Sequence, residues 1–352
     1  MRTLLRPTGF VDSPFGNDGK VERLAGGLNW FASVELIHGD GKRELVAVEG
    51  VEARFDDAMP ADWARLTAAR APLRIGERMI RLDQPHVMGI INATPDSFSD
   101  GGAYPDAAAA AEAGAEMAAQ GAAIVDIGGE STRPGAQPVW EGDEIERVLP
   151  VVRQLAAGGV AVSIDTRKSG VMQAAIGAGA GLVNDVSALS WDPHAAATVA
   201  AAGVPVVLMH HQGDPATMQD GPRYGDVLVE VYLWLEQRIA AAEAAGIERS
   251  RILVDPGIGF GKSVAHNLEL MNGLALYHGL GCGIVVGASR KRMIGALSNE
   301  APAGERLGGS LALALKAVDQ GAQVVRVHDV RDTVQAIRVW RGLRDMALTP
   351  RA

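Results

Sequence analysis

The chain has 352 residues, of which 47% are hydrophobic and 21% charged, and these values are typical of an ordinary globular protein and exclude a disordered one. The net charge of −9 argues against a general nucleic-acid binder, which would need a basic face. The single cysteine, Cys282, excludes an intrachain disulfide and a cysteine metal cluster, and it suits a reducing compartment.

The first 80 residues predict a small β-rich appendage of unknown role. Residues Trp30–Ile37 and Arg43–Val51 alternate as strands do, and the turn-forming segment His38–Gly41 joins them into a hairpin. Pro60–Arg70 predicts a short helix, and Ala71–Pro85 is expected to link the appendage to the rest of the chain. The N-terminus has no apolar region of signal-peptide length, and no stretch is apolar enough to span a membrane. We therefore expect a cytoplasmic protein without a membrane partner.

From about His86 onward, short apolar runs alternate with alanine-rich segments of helical period, which is the pattern of repeated βα units. Eight units in about 265 residues predict a (β/α)8 TIM barrel over residues 81–352, since a doubly wound sheet more often stops at about five to seven strands. The predicted strands are His86–Ile91, Ala123–Ile127, Val160–Ile164, Gly181–Asn184, Pro205–Met209, Arg251–Val254, Gly283–Gly287 and Gln323–Val327. Predicted helices include Asp106–Gln120, Val227–Ala245, Glu305–Gln320 and Thr333–Arg344.

Polar residues follow every predicted strand, at the end where a TIM barrel builds its active site. Any one of them could be a helix cap or a turn residue, but eight that converge are hard to explain in that way. Asp165, Asn184 and Asp255 suit the edge of an aminopyrimidine, and Arg133, Lys291, Arg326 and His328 add positive charge. These types predict a flat polar heterocycle that carries phosphates. The set is Asn92, Asp126, Asp165, Asn184 with Asp185, His210, Asp255, Ser289 to Lys291, and Arg326 with His328.

Two loops after the first and second strands, Asn92–Gly102 and Ser131–Gly135, are richer in polar and turn residues than a short βα connection needs. We interpret them as lids that close over a reactive intermediate, and the alternative is that they are surface turns. The adjacent His210 and His211 face opposite ways, and neither has a second histidine at zinc-ligand spacing. His210 is instead expected to hydrogen-bond inside the barrel mouth.

Eight segments in this order resemble the dihydropteroate synthases, a pterin-binding TIM-barrel family, across about 260 residues. They are Val87–Gly102, Asp126–Ala136, Ser163–Lys168, Val183–Ser187, Leu208–Gln219, Leu253–Lys262, Gly287–Lys291 and Arg326–Val330. The resemblance implies an enzyme that joins 6-hydroxymethyl-7,8-dihydropterin pyrophosphate to p-aminobenzoate and releases 7,8-dihydropteroate and pyrophosphate. It also implies a magnesium cofactor (Mg²⁺), inhibition by sulfonamides and a homodimer packed through late barrel helices.

The resemblance also implies a role for each matching residue of this chain. Asp165, Asn184, Asp255 and Lys291 would hold the pterin, in a slot shaped by Met209, Phe260 and Gly287. Asn92 would contact magnesium and the pyrophosphate, together with Arg133, Arg326 and His328. Phe98, Thr132, Pro134 and Lys291 would surround p-aminobenzoate. Within this set the resemblance implies that Lys291, Asp165, Arg326 and His328 carry the catalysis.

Two other functions remain open at this point. A pterin-binding methyltransferase acting on methyltetrahydrofolate would share the Asp and Asn contacts, but it would not need a pyrophosphate site. A non-catalytic barrel could retain pterin binding while the appendage serves as an interaction module. The segments Ser131–Pro134 and Ser289–Lys291, with Arg326 and His328, favour the synthase over both alternatives.

Overall fold

The computed structural model describes residues 2–93, 107–130, 138–213, 218 and 221–349. Eight parallel strands in this part of the chain close into a barrel. The predicted barrel and all eight of its predicted strands are confirmed. Their bounds are β7 His86–Asn92, β8 Ile124–Gly128, β9 Val162–Asp165, β10 Leu182–Asp185, β11 Val206–Met209, β12 Ile252–Asp255, β13 Gly283–Val286 and β14 Val324–Val327. Around the barrel they follow one another in sequence order, and β14 pairs with β7 to close it.

Helices follow each barrel strand and cover its outer side. In Glu141–Ala157, for example, Val148, Val151 and Leu155 are buried and form an apolar stripe with the i, i+3, i+7 spacing of one helix face. The barrel helices are α3 Ala107–Ala119, α4 Glu141–Ala157, α5 Ser169–Gly177, α6 Ala195–Ala202, α7 Val227–Ala244, α8 Val264–Gly273, α9 Arg292–Leu297, α10 Leu307–Asp319 and α11 Val330–Ala347. No helix in the described residues is both long and apolar enough to cross a membrane.

Residues 71–85, expected as a linker, instead close the amino end of the barrel. They form an antiparallel hairpin of β5 Leu73–Ile75 and β6 Arg78–Ile80. The inward residues of this segment, Leu73, Ile75, Ile80 and Leu82, pack on a layer of barrel residues that includes Met88 and Leu182. The linker prediction is wrong because the apolar floor of a barrel must be covered, and this segment carries the apolar alternation that covers it.

The hairpin lies close against the backbone of the barrel. A Cβ atom added to Gly181, just before β10, would lie 2.2 Å from the Gly76 nitrogen at the hairpin turn. Gly76 itself has a φ of +59°, in the left-handed region that favours glycine. Only a residue without a side chain fits at position 181, so the contact fixes where the hairpin sits.

The N-terminal residues form a sheet of β1 Leu4–Val11, β2 Glu22–Arg23, β3 Trp30–Ile37 and β4 Arg43–Ala47, in which β3 pairs with the other three strands. The predicted hairpin is confirmed, but the second strand ends at Ala47 because α1 Val48–Val51 turns Val48 and Val51 into the core. The sequence did not predict strand β1, because Pro7 and Gly9 interrupt its alternating pattern. The proline is tolerated because β1 is an edge strand. The predicted short helix is confirmed as α2 Met59–Thr67.

The appendage has its own apolar core, which includes Phe31, Leu36, Met59 and Leu66. It is also fastened to the barrel through backbone carbonyls. Asn29 donates from Nδ2 to the carbonyl oxygens of Val318 and Asp319 at 2.8 and 3.1 Å, and Arg344 donates to the Leu28 oxygen at 2.7 Å. These contacts hold the appendage against α10 and α11.

Replacing the floor residue Ile75 tests the role of the hairpin. Ile75 is completely buried, so we expect Ile75→Ala to lower the free energy of unfolding by about 2 to 5 kcal/mol through lost burial and a residual cavity. Met79, on the same hairpin, is 58% exposed, and Met79→Ala should change it by less than about 0.5 kcal/mol. Urea unfolding measures both, and equal effects would contradict the floor assignment.

Candidate active site at the carboxyl end of the barrel

Successive residues of a strand point to opposite sides, and this alternation directs a set of polar side chains into the barrel above its apolar floor. In β8 the floor residue Ile124 is followed two positions later by Asp126, and in β10 Leu182 is followed by Asn184. The same step leads from Leu253 to Asp255 in β12. A polar layer therefore lies at the carboxyl end, where the sequence predicted the site. Its members include Asp126, Asp165, Asn184, Asp255 and Arg326.

Arg326 is the centre of one half of this layer. Its Nε lies 2.6 Å from Oδ2 of Asp126, and its Nη2 lies 2.7 Å from Oδ2 of Asp165. Asn184 donates from Nδ2 to the same Asp126 oxygen at 2.9 Å. The predicted residues Asp165, Asn184 and Arg326 are thus brought together, and Asp126 joins them as a residue that the sequence-based assignment of roles left out.

Electrostatics keep Arg326 charged in spite of its burial. Burial raises the pKa of the Asp165 carboxyl to about 7, although the Arg326 charge opposes that rise. Burial also lowers the pKa of Arg326, but the carboxylates of Asp126 and Asp165 outweigh it and raise that pKa above its ordinary value. Arg326 is therefore a fixed cation between two carboxylates.

Two buried oxygens in this layer are left for a ligand or water. Asp126 Oδ1 and Ser163 Oγ are buried, and neither has a hydrogen-bond partner among the described residues. Ser163 precedes Asp165 by two residues in β9, so both side chains point into the barrel. Buried polar atoms are rarely left unpaired. The pair offers an acceptor and a hydroxyl at the base of the mouth.

Asp255 anchors the opposite half, where a glycine-rich turn follows β12. Its Oδ1 accepts a hydrogen bond of 2.7 Å from the Gly257 nitrogen. Gly257 has a φ of +68°, and a Cβ atom there would lie 1.8 Å from the His210 carbonyl oxygen. Only glycine fits at that position, so the turn following Asp255 has one backbone path.

Lys291 reaches this half of the mouth from the segment after β13. Its Nζ lies 4.0 Å from the centre of the Phe260 ring, a cation–π contact. Burial lowers the pKa of Lys291 to about 8, although the Asp255 carboxylate favours its charged form. Phe260 and Lys291, predicted to share the pterin slot, therefore do lie together. Met209 is buried at the end of β11, where the alternation points it inward.

Gly287 continues the inward positions of β13 and lies between the two halves of the site. Its φ lies outside the left-handed region, so backbone strain does not require glycine there. A Cβ atom would approach nothing closer than 3.8 Å, and its neighbours would be Arg326 Cβ and Asp255 Oδ2. These are ordinary van der Waals distances, so the predicted position of Gly287 beside Asp255 is confirmed, but the contacts do not require a glycine.

Lys262 is a buried residue whose role the sequence did not reveal. Its Nζ donates to the carbonyl oxygens of Gly257 and Phe260 at 2.9 and 3.0 Å, and it lies 2.8 Å from Nδ1 of His210. It therefore closes the glycine turn that carries Phe260. Burial lowers its pKa to about 7. A lysine at the end of a glycine-rich segment is the only signal of this role that the sequence offers.

His210 was expected inside the barrel mouth, but it lies outside it. Its ring packs at 4.9 Å, edge to face, against Trp234 of α7, so it lies between strand and helix. His210 is buried and hydrogen-bonded, as expected, and its partner is Lys262. The expected direction of its side chain was wrong. Asp185 also lies outside the mouth, where its carboxylate accepts hydrogen bonds from Ser187 and from the Leu189 nitrogen. The strand alternation that points Met209 and Asn184 inward points their neighbours outward.

His328 and Asn92 complete the described part of the site. His328 Nδ1 lies 3.1 Å from Ser289 Oγ, which links the ends of β13 and β14. Asn92 is the last residue of β7 and is half-buried. Four other predicted site residues, Phe98, Thr132, Arg133 and Pro134, lie outside the described residues.

The described ends of the second loop are held by a buried ion-pair cluster. Lys168, three residues after Asp165, pairs with Glu144 and, at 2.8 Å, with Glu130, and it donates to the Val139 oxygen at 2.6 Å. Arg167 adds a contact of 3.0 Å to Glu130. Residues 130 and 139 flank the second loop, so both of its ends are fixed to the segment that follows β9.

Comparison with known proteins agrees with this site. A family described as pterin binding enzyme matches residues 88–328 of this chain. The dihydropteroate synthase of Escherichia coli K12 is 49% identical over 259 residues, which are 73% of this chain and 91% of that protein. The dihydropteroate synthase of Neisseria meningitidis serogroup B is 47% identical over 280 residues, 78% of this chain and 98% of that protein.

Solved structures give the same result. Dihydropteroate synthase of Xanthomonas albilineans with 4-aminobenzoic acid is 47% identical, with a TM-score of 0.74 over 78% of this chain and 99% of that one. The same enzyme in complex with 7,8-dihydropteroate is 45% identical, with a TM-score of 0.71 over 78% and 98% of the two chains. The Yersinia pestis enzyme with a sulfonamide drug complex is 43% identical, with a TM-score of 0.74 over 78% and 99%.

The lowered pKa of Lys262 predicts how the free energy of unfolding depends on pH. The folded pKa near 7 lies below the value of about 10.4 in an unfolded chain, so between these pH values the unfolded state binds more protons. The free energy of unfolding should therefore rise with pH in this window. Lys262→Met should flatten the rise, while the contribution of Lys291 stays the same in both proteins. Urea unfolding at pH 7, 8 and 9 measures the two slopes, and parallel slopes would rule the assignment out.

Proposed function

This chain belongs to the dihydropteroate synthases within the pterin-binding enzyme family, and on that premise we propose which of its residues carry each part of the reaction. The reaction condenses 6-hydroxymethyl-7,8-dihydropterin pyrophosphate with p-aminobenzoate and yields 7,8-dihydropteroate and pyrophosphate. The observation that carries the proposal is the barrel mouth, where Arg326 holds Asp126 and Asp165 on one side and Lys291 lies over Phe260 on the other.

The pterin is assigned to the slot between these two halves. Carboxylates of Asp165 and Asp255 would accept from the amino and ring N–H groups of the aminopyrimidine, and the Asn184 amide and Lys291 ammonium would supply donors. Met209, Phe260 and Gly287 would form the walls. The burial of Asp165, Asn184, Met209 and Asp255, each at most 9% exposed, supports a dry slot in which these hydrogen bonds are strong.

The pyrophosphate is assigned to the rim of the same mouth. His328, held by Ser289, and Arg326 lie at the end of β14, and Asn92 lies at the end of the neighbouring β7. Arg133, beyond the described residues, would add a second guanidinium. Since Arg326 already neutralises two carboxylates, we infer that its main part is to hold the pterin side of the site, with a lesser share in pyrophosphate binding.

The magnesium ion implied by the family fits this rim. The described residues contain no group of three or more His, Cys, Asp or Glu side chains that could hold a metal ion. Magnesium does not require such a cage, because it is commonly bound through one or two protein oxygens together with substrate phosphates. The amide oxygen of Asn92 would supply the protein ligand. When bound, the ion would shield negative charge on the departing pyrophosphate.

The catalytic task of the residues is electrostatic. The barrier lies mainly in separating a highly charged pyrophosphate from the pterin methylene, which is left with positive charge. Carboxylates of Asp165 and Asp255 favour a cationic pterin, and Lys291, Arg326 and His328 favour the anion that leaves. The aryl amine of p-aminobenzoate then attacks the methylene carbon. No covalent intermediate with the enzyme is required.

The p-aminobenzoate is assigned to Phe98, Thr132, Pro134 and Lys291. The first three lie beyond the described residues, so support comes from Lys291 and from the ends of the second loop. Lys168 and Arg167 fix Glu130 close to the mouth, next to the segment that contains Thr132 and Pro134. A sulfonamide, which shares the aryl amine, would occupy the same place.

We further propose that the protein acts in the cytoplasm as a homodimer. The single cysteine, Cys282, is buried and unpaired, which suits a reducing compartment.

Three apolar residues of α11, Val339, Leu343 and Met346, are 61%, 68% and 76% exposed. Their i, i+4, i+7 spacing puts them on one helix face, and an exposed apolar stripe of this kind supports packing against a second copy.

The reaction itself is tested by incubating the enzyme with the pterin pyrophosphate, p-aminobenzoate and magnesium and measuring dihydropteroate. We expect product to form in proportion to pyrophosphate released, and none when p-aminobenzoate is omitted. Pterin binding without turnover would favour a non-catalytic barrel. Methyl transfer from methyltetrahydrofolate in place of condensation would favour the methyltransferase.

Lys291→Ala tests the assignment of the pterin side. Loss of a charged hydrogen bond costs about 1.5 to 3 kcal/mol, so kcat/KM should fall roughly 10- to 150-fold. Lys42 is an exposed lysine of the appendage, and Lys42→Ala is the matched control that should leave kcat/KM unchanged. If Lys291→Ala stayed within about twofold of the wild type, Lys291 would have no part in the reaction.

A further inference from the structure

A cavity at the opposite end of the barrel has arginine side chains in its wall. A cavity of about 260 Å³ separates the appendage from the amino ends of β12 and β13, and its wall includes Arg65, Arg70, Arg249 and Ser250. We call it the arginine cavity. The family match begins at residue 88, so two of the three arginines belong to the part of the chain outside that match. The cavity is therefore distinct from the active site and depends on the appendage.

The three guanidinium groups converge because all of them bind one short backbone segment, residues 278–282. Arg65 donates from Nε to the Gly279 oxygen at 2.9 Å, and Arg249 from Nη1 to the Leu280 oxygen at 2.9 Å. Arg70 donates to the oxygens of His278 and Cys282 at 2.9 and 3.1 Å.

Two of the side-chain stems also meet at one residue of this segment. A Cβ atom on Gly281 would lie 2.8 Å from Cδ of Arg65 and 3.5 Å from Cδ of Arg249. Contacts with backbone carbonyls thus hold all three arginines at the cavity wall.

The charges of two of these arginines are balanced, but that of the third is not. Arg249 forms a two-pronged contact with Glu243 at 2.9 and 2.7 Å, and Arg65 pairs with Asp62. Arg70 has no carboxylate within 4.0 Å among the described residues, and its hydrogen bonds all end on carbonyl oxygens. Burial lowers the pKa of Arg70 to about 10, which reflects an environment that opposes its charge. A buried cation without a counter-charge is costly, so a missing anion would complete the group.

We propose that the arginine cavity binds a small anion through a phosphate group, with Arg70 supplying the unbalanced positive charge and Arg65, Arg249 and Ser250 supplying further hydrogen-bond donors. Carbonyl oxygens already occupy four of the five Arg70 N–H groups, so Arg70 offers the phosphate its charge and one N–H of Nη2. The volume exceeds that of several water molecules, each of which occupies about 30 Å³ in the liquid, so a phosphate fits with room for a small substituent. The bound anion would also tie the appendage to the barrel, because Arg70 and Arg249 come from opposite sides.

Calorimetric titration of the full-length protein with inorganic phosphate tests this site. We expect Arg70→Gln to weaken phosphate binding about tenfold or more. Glu243→Gln should strengthen it several-fold, because it frees Arg249 while leaving every contact of Arg70 in place. Arg74→Gln removes an exposed charge outside the cavity and is the matched control that should leave binding unchanged. Any phosphate that enters the active site contributes equally in all four proteins.

The proposal is overturned if Arg70→Gln and Glu243→Gln both bind phosphate within twofold of the wild type, or if Arg74→Gln weakens binding as much as Arg70→Gln. If Arg70→Gln fails to fold, the direction of the Glu243→Gln effect decides. Parallel titrations with pyrophosphate and phenyl phosphate distinguish the source of the phosphate group, since a tighter monoester would point to a small phosphorylated metabolite. All variants should still form dihydropteroate, so this test can fail without affecting the assigned reaction.

Discussion

The contact of Arg326 with Asp126 and Asp165 is the constraint on which the site depends. A closed parallel barrel brings the carboxyl ends of all its strands together, and here several of those ends carry carboxylates. Without a counter-charge, buried carboxylates at this distance would repel one another or take up protons. Arg326 supplies that counter-charge from β14, on the far side of β7 from Asp126. These ion pairs therefore connect β14 with β8 and β9, in addition to the backbone hydrogen bonds of the barrel. Asn184 is oriented because it donates to the same Asp126 oxygen as Arg326.

In the other half of the mouth, the positive charge of Lys291 lies beside an aromatic ring. Lys291 lies over the Phe260 ring, and Phe260 is carried by a glycine turn that Lys262 closes from below. Burial lowers the pKa of both lysines, to about 8 for Lys291 and about 7 for Lys262. Lys262 binds carbonyl oxygens and a histidine nitrogen, so its role is to shape the turn. Lys291, by contrast, contacts the Phe260 ring, and the Asp255 carboxylate favours its charged form.

The sequence predicted most of the barrel because a strand buried on both sides is a continuous apolar run, and eight such runs leave few alternatives. It also predicted that Asp165, Asn184 and Asp255 lie at the barrel mouth, because a polar residue that ends an apolar strand stands out. It failed where a partner is distant in sequence. Residues 71–85 read as a linker because nothing local reveals the barrel floor that they cover. The direction of His210 and the role of Lys262 depend on a contact between residues 52 positions apart.

The ion pairs around Lys168 connect the described ends of the second loop with the segment that follows Asp165. Asp165 ends β9, and Lys168 follows it by three residues. Asp165 points into the barrel mouth, whereas Lys168 holds Glu130 and Val139, the described ends of the loop that contains Thr132 and Pro134. A buried lysine between two carboxylates contributes little net stability after its desolvation is counted, so stability alone does not account for this cluster. Its effect is geometric, because it fixes the described ends of the loop to the segment that follows Asp165. A reaction between two bound substrates gains most from such alignment, since small displacements of either partner cost large factors in rate.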